Sequence, residues 1–148
     1  MTYIATSPSS APLPVVATVT DRLLAAIGGA SFGTADDLYA RDVVLDATVP
    51  GWRYKVSGDD QVRAEYGRWF TAVGDLTEVR RLSTPDGCVV EYFLTWTEDG
   101  RLHGAHHAHL LTIDAATDRI CADHVFCGGR WPAEQLAEMN APLFVTSG

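Results

Sequence analysis

A cluster of histidines and one later aspartate are the residues of this chain best suited to proton transfer. The cluster consists of His103, His106, His107 and His109. Imidazole changes its charge near neutral pH, so such a cluster can move protons or bind a metal ion. Asp123 follows within an apolar segment, where burying a carboxylate is costly unless it has a partner. We expect His109 to be that partner.

His109 and Asp123 together predict a general acid–base pair. Such a pair can remove a proton next to a carbonyl group and return one to the developing alkoxide. Tyr92 is predicted beside the pair, because a buried phenol needs a partner and could donate a hydrogen bond to a substrate carbonyl. A second interpretation stays open, in which a hydrogen-bonded His–Asp pair only orders the core.

The spacing of His107 and His109 also allows a metal site. On a strand these two side chains share one face, and Asp123 or His124 would be the third ligand. No cysteine or carboxylate spacing in the sequence supports such a site, so we predict no metal. We expect His107 to be a polar group of a substrate pocket instead.

The elements that must position these residues are strands in the second half of the chain. Apolar and polar residues alternate over 76–82, 88–97, 102–113 and 120–128. Short turn-forming clusters join these four segments, which predicts an antiparallel meander. The alternation places His107 and His109 on the inward face together with Ala105 and His103. Asp123 is placed inward on the last strand, beside Cys121.

The first half of the chain predicts helices and a strand pair. Helical spacing covers 15–28 and 62–73, and a capping pattern predicts a short helix over 34–39. Two strands over 42–49 and 53–56 lie between them, and a last helix is predicted over 132–139. Helices grouped at one end of an antiparallel sheet give an α+β fold. The sheet must curve around the helices, leaving a conical pocket.

Aromatic residues are expected to line that pocket. An aromatic lining suits a flat, mostly apolar ligand such as a polyketide or terpenoid intermediate. Trp52 and Tyr54 are predicted at the mouth, where with Arg53 they could cover the pocket or bind an anionic substituent. An exposed hairpin is the alternative for these three residues. Ordinary core packing is the alternative for the helix residues. The residues expected in the deeper lining are Tyr66, Trp69 and Trp96.

Composition excludes several classes of protein. The 148 residues are 47% hydrophobic and 20% charged, which fits one globular domain, predicted over 15–140. The net charge of −8 disfavours nucleic acid and anionic membranes as partners. Residues 1–14 are expected to be a flexible N-terminal tail, and 141–148 a C-terminal tail. With no signal-like segment and three cysteines in no paired spacing, a cytoplasmic location is expected.

The order of elements, with the segment Leu38-Tyr39-Ala40-Arg41-Asp42-Val43-Val44 after the second predicted helix, resembles the nuclear transport factor 2-like superfamily. The resemblance covers 15–131 and is closest to the SnoaL-like polyketide cyclase and ketosteroid isomerase branch. It implies a cone-shaped barrel, that is, a curved antiparallel sheet wrapped around three N-terminal helices. It also implies a buried pocket, frequent homodimers and usually no metal or organic cofactor.

The resemblance assigns catalytic roles to two residues of this chain. SnoaL-like cyclases use a histidine and an aspartate on the last two strands, which match His109 and Asp123. The functional positions of ketosteroid isomerase fall on Leu23, Ala47 and His109, none of which has the required residue type. Steroid isomerisation by that route is therefore not expected. An inward arginine beside Asp123, which the epoxide hydrolases of the superfamily would require, is also absent from the predicted strands.

These observations predict a cofactor-independent acid–base enzyme acting on a small, mostly apolar metabolite. The reaction would be an aldol-type cyclisation, an isomerisation or a dehydration. The alternative is a non-catalytic small-ligand-binding module of the same fold. A homodimer is expected, with outward residues such as Glu91 and Phe93 at the contact.

Overall fold

The computed structural model of the protein describes residues 14–140, the side chains of 14–18 excepted. The tails predicted over 1–14 and 141–148 lie outside the described residues, apart from Pro14, which begins the first helix. Within the described part of the chain, no helix is long and apolar enough to cross a membrane. The α-helices are α1 (Pro14–Gly28), α2 (Asp59–Trp69) and α3 (Ala133–Met139).

Seven strands form a single curved sheet in the order β2-β1-β6-β5-β4-β3, with β7 paired to β5 beyond the end of β6. Every neighbouring pair is antiparallel except β1 and β6, which run parallel. The sheet is open between β2 and β3, so it is a partial cone and not a closed barrel. The strands are β1 (Tyr39–Val49), β2 (Trp52–Ser57), β3 (Asp75–Thr84), β4 (Gly87–Glu98), β5 (Arg101–Asp114), β6 (Arg119–Cys127) and β7 (Trp131–Pro132).

The predicted α+β architecture and the antiparallel meander β3-β4-β5-β6 are both confirmed. The core lies between the inner face of the sheet and the helices. Val19, Leu23 and Ile27 of α1 are fully buried, as are Val62 and Tyr66 of α2. Apolar residues at this spacing form one helix face, and its burial is the main source of helix stability here.

The short helix predicted over 34–39 is wrong. A 3-10 turn covers Phe32–Thr34, and Tyr39 already begins β1. The Leu38 carbonyl accepts a hydrogen bond from the Ile120 amide at 3.0 Å, which ties this segment to the sheet. Pairing with β6 and burial of Leu38 and Tyr39 therefore outweigh the local capping pattern. Two N-terminal α-helices, and not three, pack inside the sheet.

The last helix, α3, packs on the outer face of the sheet. Gly104 faces outward on β5, where an added Cβ would lie 2.8 Å from Phe93 Cζ and 2.9 Å from Leu136 Cδ1. Only a residue without a side chain lets the helix approach this closely. Leu136 is 7% exposed because it covers this glycine.

A register shift in β6 changes one inward residue of the prediction. The β5–β6 pairing skips Cys121, so that Ile113 pairs with Ile120 and Thr112 with Ala122. Ile120 is buried and Cys121 is only half-buried, which corrects the expectation that Cys121 points inward. The bulge absorbs the extra residue and leaves Asp123 on the inner face.

Candidate functional site

Four side chains form one continuous hydrogen-bonded chain in the core, which we call the Tyr92–Tyr66 chain. The Tyr92 hydroxyl lies 2.8 Å from His109 Nε2, and His109 Nδ1 lies 2.8 Å from Asp123 Oδ1. The other carboxylate oxygen, Oδ2, accepts from the Tyr66 hydroxyl at 2.8 Å. None of the four residues is more than 1% exposed. The predicted neighbourhood of Tyr92, His109 and Asp123 is therefore present.

Strand register explains how these residues meet. β4 and β5 align Tyr92 with His107, and β5 and β6 align Asp123 with Leu111. His109 is thus bonded to the diagonal neighbour on each side, which side chains of this length can reach. Tyr66 comes from α2, so the helix closes the chain from across the core.

With Asp123 as a carboxylate and His109 carrying one proton, these hydrogen bonds are satisfied by one arrangement of protons. A carboxylate can only accept, so Asp123 accepts from Tyr66 and from the Nδ1–H of His109. Nε2 of His109 is then the acceptor for the Tyr92 hydroxyl. Every buried polar atom of the four side chains has a partner, as a network in a low-dielectric interior requires.

The tyrosines of this region are held in their neutral form. Burial, followed by the charge of Asp123, raises the pKa of both Tyr66 and Tyr92 well above the usual value. Tyr39 is buried nearby, and the same two causes raise its pKa. Its hydroxyl has no hydrogen-bond partner among the described residues.

A cavity of about 630 Å³ opens beside the Tyr92–Tyr66 chain without reaching it. None of the four chain residues lies on its lining, which is mostly apolar. The volume is typical of a small-molecule site. Lining side chains with polar or aromatic groups include Arg68, Trp69, Trp96, Glu98, His107, Cys127 and Arg130.

His107 separates the cavity from the chain. It lies on the cavity lining, and its ring stacks on that of Tyr92 with centroids 5.4 Å apart and planes 7° apart. It is 5% exposed, and its Nδ1 is buried without a partner among the described residues. Burial, followed by nearby His109, lowers the pKa of His107 to about 3. The imidazole that faces the cavity is therefore neutral.

The residues predicted to line the pocket divide into three groups. Trp69, Trp96 and His107 are on the cavity lining, whereas Tyr66 belongs to the Tyr92–Tyr66 chain. Tyr54 is not on the lining. Its hydroxyl donates to Glu65 and accepts from the Trp69 indole at 3.1 Å, so it helps to hold the lining residue Trp69 in place.

Trp52 differs most from its predicted place. It is 69% exposed at the start of β2 and does not line the cavity. The neighbouring Arg53 is bonded to Asp46 and does not line the cavity either. Both follow the tight turn at Gly51 and pair with Val49 and Thr48 of β1 at the edge of the sheet.

The other histidines lie outside the Tyr92–Tyr66 chain. His106 pairs with Glu91 at 2.6 Å, His124 stacks on Phe126, and His103 stacks on Trp96. Within the described residues, no group of three or more His, Cys, Asp or Glu side chains is arranged to hold a metal ion. Both ring nitrogens of His109 are already bonded, which leaves it no lone pair for a metal.

Three features of the site went unnoticed in the sequence. The role of Tyr66 as the second partner of Asp123 was missed, although its position on the buried face of a helix was clear. Arg68 and Arg130 on the cavity lining were missed as well. The approach of Arg130 to within 5.3 Å of the Trp96 ring centre depends on how the chain folds back after β6.

Comparison with known proteins places the fold. No protein-family model matches the sequence, and no curated protein matches it either. The chain is similar to a steroid delta-isomerase from Pseudomonas aeruginosa, with 18% identity, a TM-score of 0.61 and coverage of 79% of this chain and 82% of that one. It is similar to an NTF-2 like protein from Burkholderia xenovorans, with 11% identity, a TM-score of 0.61 and coverage of 88% and 96%.

An LEH-like epoxide hydrolase from M. tuberculosis is also similar, with 15% identity, a TM-score of 0.60 and coverage of 76% and 81%. At these identities the likeness concerns the fold alone. The predicted superfamily fold is confirmed at this level.

Proposed function

Because the chain has the nuclear transport factor 2-like fold, we propose that it is a cofactor-independent acid–base enzyme of the isomerase type. In finer detail, we propose a SnoaL-like cyclase, isomerase or dehydratase whose substrate is a small, mostly apolar carbonyl compound such as a polyketide or terpenoid intermediate. A cytoplasmic location remains the expectation from the sequence. The observation that carries the proposal is the fully bonded Tyr92–Tyr66 chain, which only the His107 ring connects to a cavity of about 630 Å³.

The protonation of the chain supports a base mechanism. When Nε2 of His109 carries no proton, Tyr92 donates to an imidazole that is oriented by a carboxylate, the arrangement that activates a hydroxyl in hydrolytic triads. Tyr92 would take a proton next to the substrate carbonyl while its own proton passes to Nε2 of His109. The resulting imidazolium would be stabilised by Asp123. Reversal of these transfers would return the proton to another carbon or to an alkoxide.

Within this mechanism Asp123 is a positioning residue. Both of its oxygens are bonded to protein groups, and His109 lies between it and Tyr92. Tyr92 is the catalytic residue, and His107 is the group that would donate an N–H to the substrate carbonyl. A neutral imidazole is suited to that role because it keeps its proton while the enolate forms.

Access to Tyr92 requires His107 to move. We infer that its side chain turns out of the stack with Tyr92 when a substrate enters. Its Nδ1 has no hydrogen bond that would hold the ring in place, and open cavity lies on the other side. H107A should keep Tyr92 accessible, whereas H107F should keep the stack and block it.

The experiment is a proton-exchange assay with 2-tetralone, a flat bicyclic ketone with acidic protons next to its carbonyl. Wild-type protein in D₂O should accelerate deuterium uptake, followed by proton NMR. Y92F should lose about 10²–10⁴-fold of that acceleration, the range of general acid–base catalysis. H107A opens access to Tyr92 but removes the carbonyl donor, so it should lose less of the acceleration than Y92F does. H107F keeps the stack and lacks the donor, so it should lose exchange. Exchange that persists in Y92F would contradict the assignment.

A ligand-binding module is the second candidate function. The observation that favours it is that the Tyr92–Tyr66 chain is outside the cavity lining and is already fully bonded. In that case the chain only orders the core. Binding of 2-tetralone without any acceleration of deuterium uptake, for wild type and H107A alike, would decide for the module.

We also propose a homodimer that uses the outer face of the sheet. Leu110, Phe126 and Val44 are 45%, 39% and 37% exposed on the adjacent strands β5, β6 and β1. Exposed apolar side chains on adjacent strands of one sheet face suit a protein interface. L110E should convert a dimer into a monomer in sedimentation equilibrium. A wild-type monomer at all concentrations would contradict the proposal.

A further inference from the structure

We propose that the cavity selects flat aromatic molecules that carry one anionic group, with the ring against Trp69 and Trp96 and the anion at Arg68 and Arg130. This deepens the proposed function by naming the substrate class of the same cavity. The test measures binding, so it can succeed or fail independently of whether the protein catalyses a reaction.

Two similar side-chain sets stand on different walls of the cavity. On α2, the Trp69 indole donates to Glu65 at 3.2 Å, and Arg68 bonds to the other oxygen of that carboxylate. We call this the helix set.

The second set, the sheet set, stands on the strand wall. The Trp96 indole donates to Glu98 at 3.0 Å, and Arg130 bonds to the same carboxylate. In each set the tryptophan and the arginine line the cavity. The repetition shows that each indole is fixed at its edge by a carboxylate, so its orientation is set before a ligand arrives.

The fixed indoles form two aromatic surfaces on one cavity. Trp69 packs on Tyr66, Phe70 and His107. Trp96 packs on His103 and beneath the Arg130 guanidinium. A planar ring system can lie against the Trp69 indole, and against the Trp96 indole once Arg130 turns off its ring, with little loss of indole freedom because both indoles are already held.

The charge of the lining is opposite to that of the protein. The whole chain carries −8, yet the charged side chains on this lining are Arg68, Arg130 and Glu98. Glu65 is not on the lining, so the helix set presents its arginine to the cavity and its carboxylate elsewhere. Each arginine is paired with the glutamate of its set, so an anionic group would bind by sharing the guanidinium with that glutamate.

Each arginine has donors left for such a ligand. Among the described residues, Arg68 and Arg130 each bond only through Nη2, and only to the glutamate of their set. A guanidinium has five N–H groups, so several can still bond to a carboxylate. Both side chains are exposed, at 71% and 63%, which leaves them free to turn toward an entering anion.

The structure changes which arginines would bind an anionic group. The sequence allowed Arg53 to bind an anionic substituent at the mouth, but its side chain is held by two hydrogen bonds to Asp46 and does not line the cavity. Arg68 and Arg130 are the arginines that meet the cavity. With the anion at the mouth, the far end of a ligand would point toward His107.

The test compares 2-naphthoate with 2-naphthamide, which share a ring system and differ in charge. Binding is measured by quenching of tryptophan fluorescence and by calorimetry. Wild-type protein should bind 2-naphthoate at least fivefold more tightly than 2-naphthamide. R130Q and R68Q should each weaken 2-naphthoate binding by about fivefold, the effect of a solvent-exposed charged contact. Neither should change 2-naphthamide binding.

A variant that should strengthen 2-naphthoate binding provides a further test. E98Q keeps a carbonyl oxygen for the Trp96 indole but releases Arg130 from its ion pair, so 2-naphthoate should bind more tightly. R80Q is the matched control, because Arg80 is 64% exposed and bonded to Glu91 but does not line the cavity. It should bind both probes as wild type does.

Three results would overturn the proposal. They are equal affinities of wild type for the two probes, no binding of either probe, or the same loss in R80Q as in R130Q. Acceleration of 2-tetralone exchange bears on the proposed function alone. A protein that exchanges 2-tetralone but ignores the charge of the naphthyl probe would retain the function and lose this inference.

Discussion

The Tyr92–Tyr66 chain and the two tryptophan sets are built from similar hydrogen bonds in opposite surroundings. Each joins aromatic residues to a carboxylate. In the core, Asp123 is 1% exposed and all its partners are buried. At the cavity, the side chain of Glu98 is 44% exposed and that of its partner Arg130 is 63% exposed.

Solvent makes the two regions differ in what they contribute. An exposed ion pair is screened by water and adds little to stability, whereas a buried carboxylate that loses its partners has no water to replace them. Variants of the Tyr92–Tyr66 chain should therefore change both the free energy of unfolding and the rate of proton transfer. The tryptophan sets should affect ligand affinity with little effect on folding.

Removal of the Asp123 side chain should have the largest effect. D123A leaves His109 and Tyr66 without acceptors in the core, and should lower the free energy of unfolding by about 3–5 kcal/mol. D123N keeps the shape of the side chain and should lower the free energy of unfolding by less, about 1–3 kcal/mol, because the amide can still accept one of the two hydrogen bonds. Urea unfolding followed by circular dichroism measures both. D123N should fold as wild type does yet lose 2-tetralone exchange.

The two ends of the core chain offer a matched pair of variants. Y92F and Y66F each remove one hydroxyl and should lower the free energy of unfolding by similar amounts, about 1–3 kcal/mol. Exchange of 2-tetralone should be lost in Y92F and largely kept in Y66F, because only Tyr92 stacks on the cavity residue His107. Equal losses of exchange in both would indicate that the chain acts only through stability.

His107 should make stability depend on pH. Its folded pKa of about 3 lies below the unfolded value near 6.5, so protons bind preferentially to the unfolded state between these values. The free energy of unfolding is therefore unaffected by the titration of His107 above pH 7, and it decreases as the pH falls below about 6.5. Between pH 7.5 and 5.5 this costs about 1 kcal/mol.

The control for this dependence is H107F, which keeps a ring on Tyr92 but has no titratable group. The free energy of unfolding of H107F should fall less than that of wild type over the same pH range. Parallel pH profiles for the two proteins would show that His107 is not held neutral.

The smallest effect on folding is expected at the cavity mouth. R130Q removes a partner of an exposed carboxylate, so its unfolding curve should coincide with that of wild type. Its 2-naphthoate affinity should still fall as described above. A large loss of stability in R130Q would remove the contrast between the two regions.

The strands of the site could be predicted because alternation on a half-buried sheet is a strong local signal. The inward faces of β4 and β5, with Tyr92, His107 and His109, follow directly from it. The segment at 34–39 could not be predicted in this way. Its capping pattern is local, whereas its strand conformation comes from pairing with β6, far along the chain.

The exact contacts of the site also lay beyond the sequence. Alternation places His107 and His109 on one face but does not say which of them meets the cavity. Register and the position of α2 decide that His109 is bonded on both sides and that His107 is not. The same holds for Trp52, which is exposed on β2 at the edge of the sheet.

The sequence by itself determined the α+β class, the meander and the meeting of His109 with Asp123, because residue periodicity and the cost of an unpaired buried carboxylate are local properties. Only the tertiary structure decided that Tyr66 completes the core chain, that His107 divides it from the cavity, and that Arg68 and Arg130 stand at the mouth. Those features depend on distances between elements that are remote in sequence, and packing alone fixes such distances.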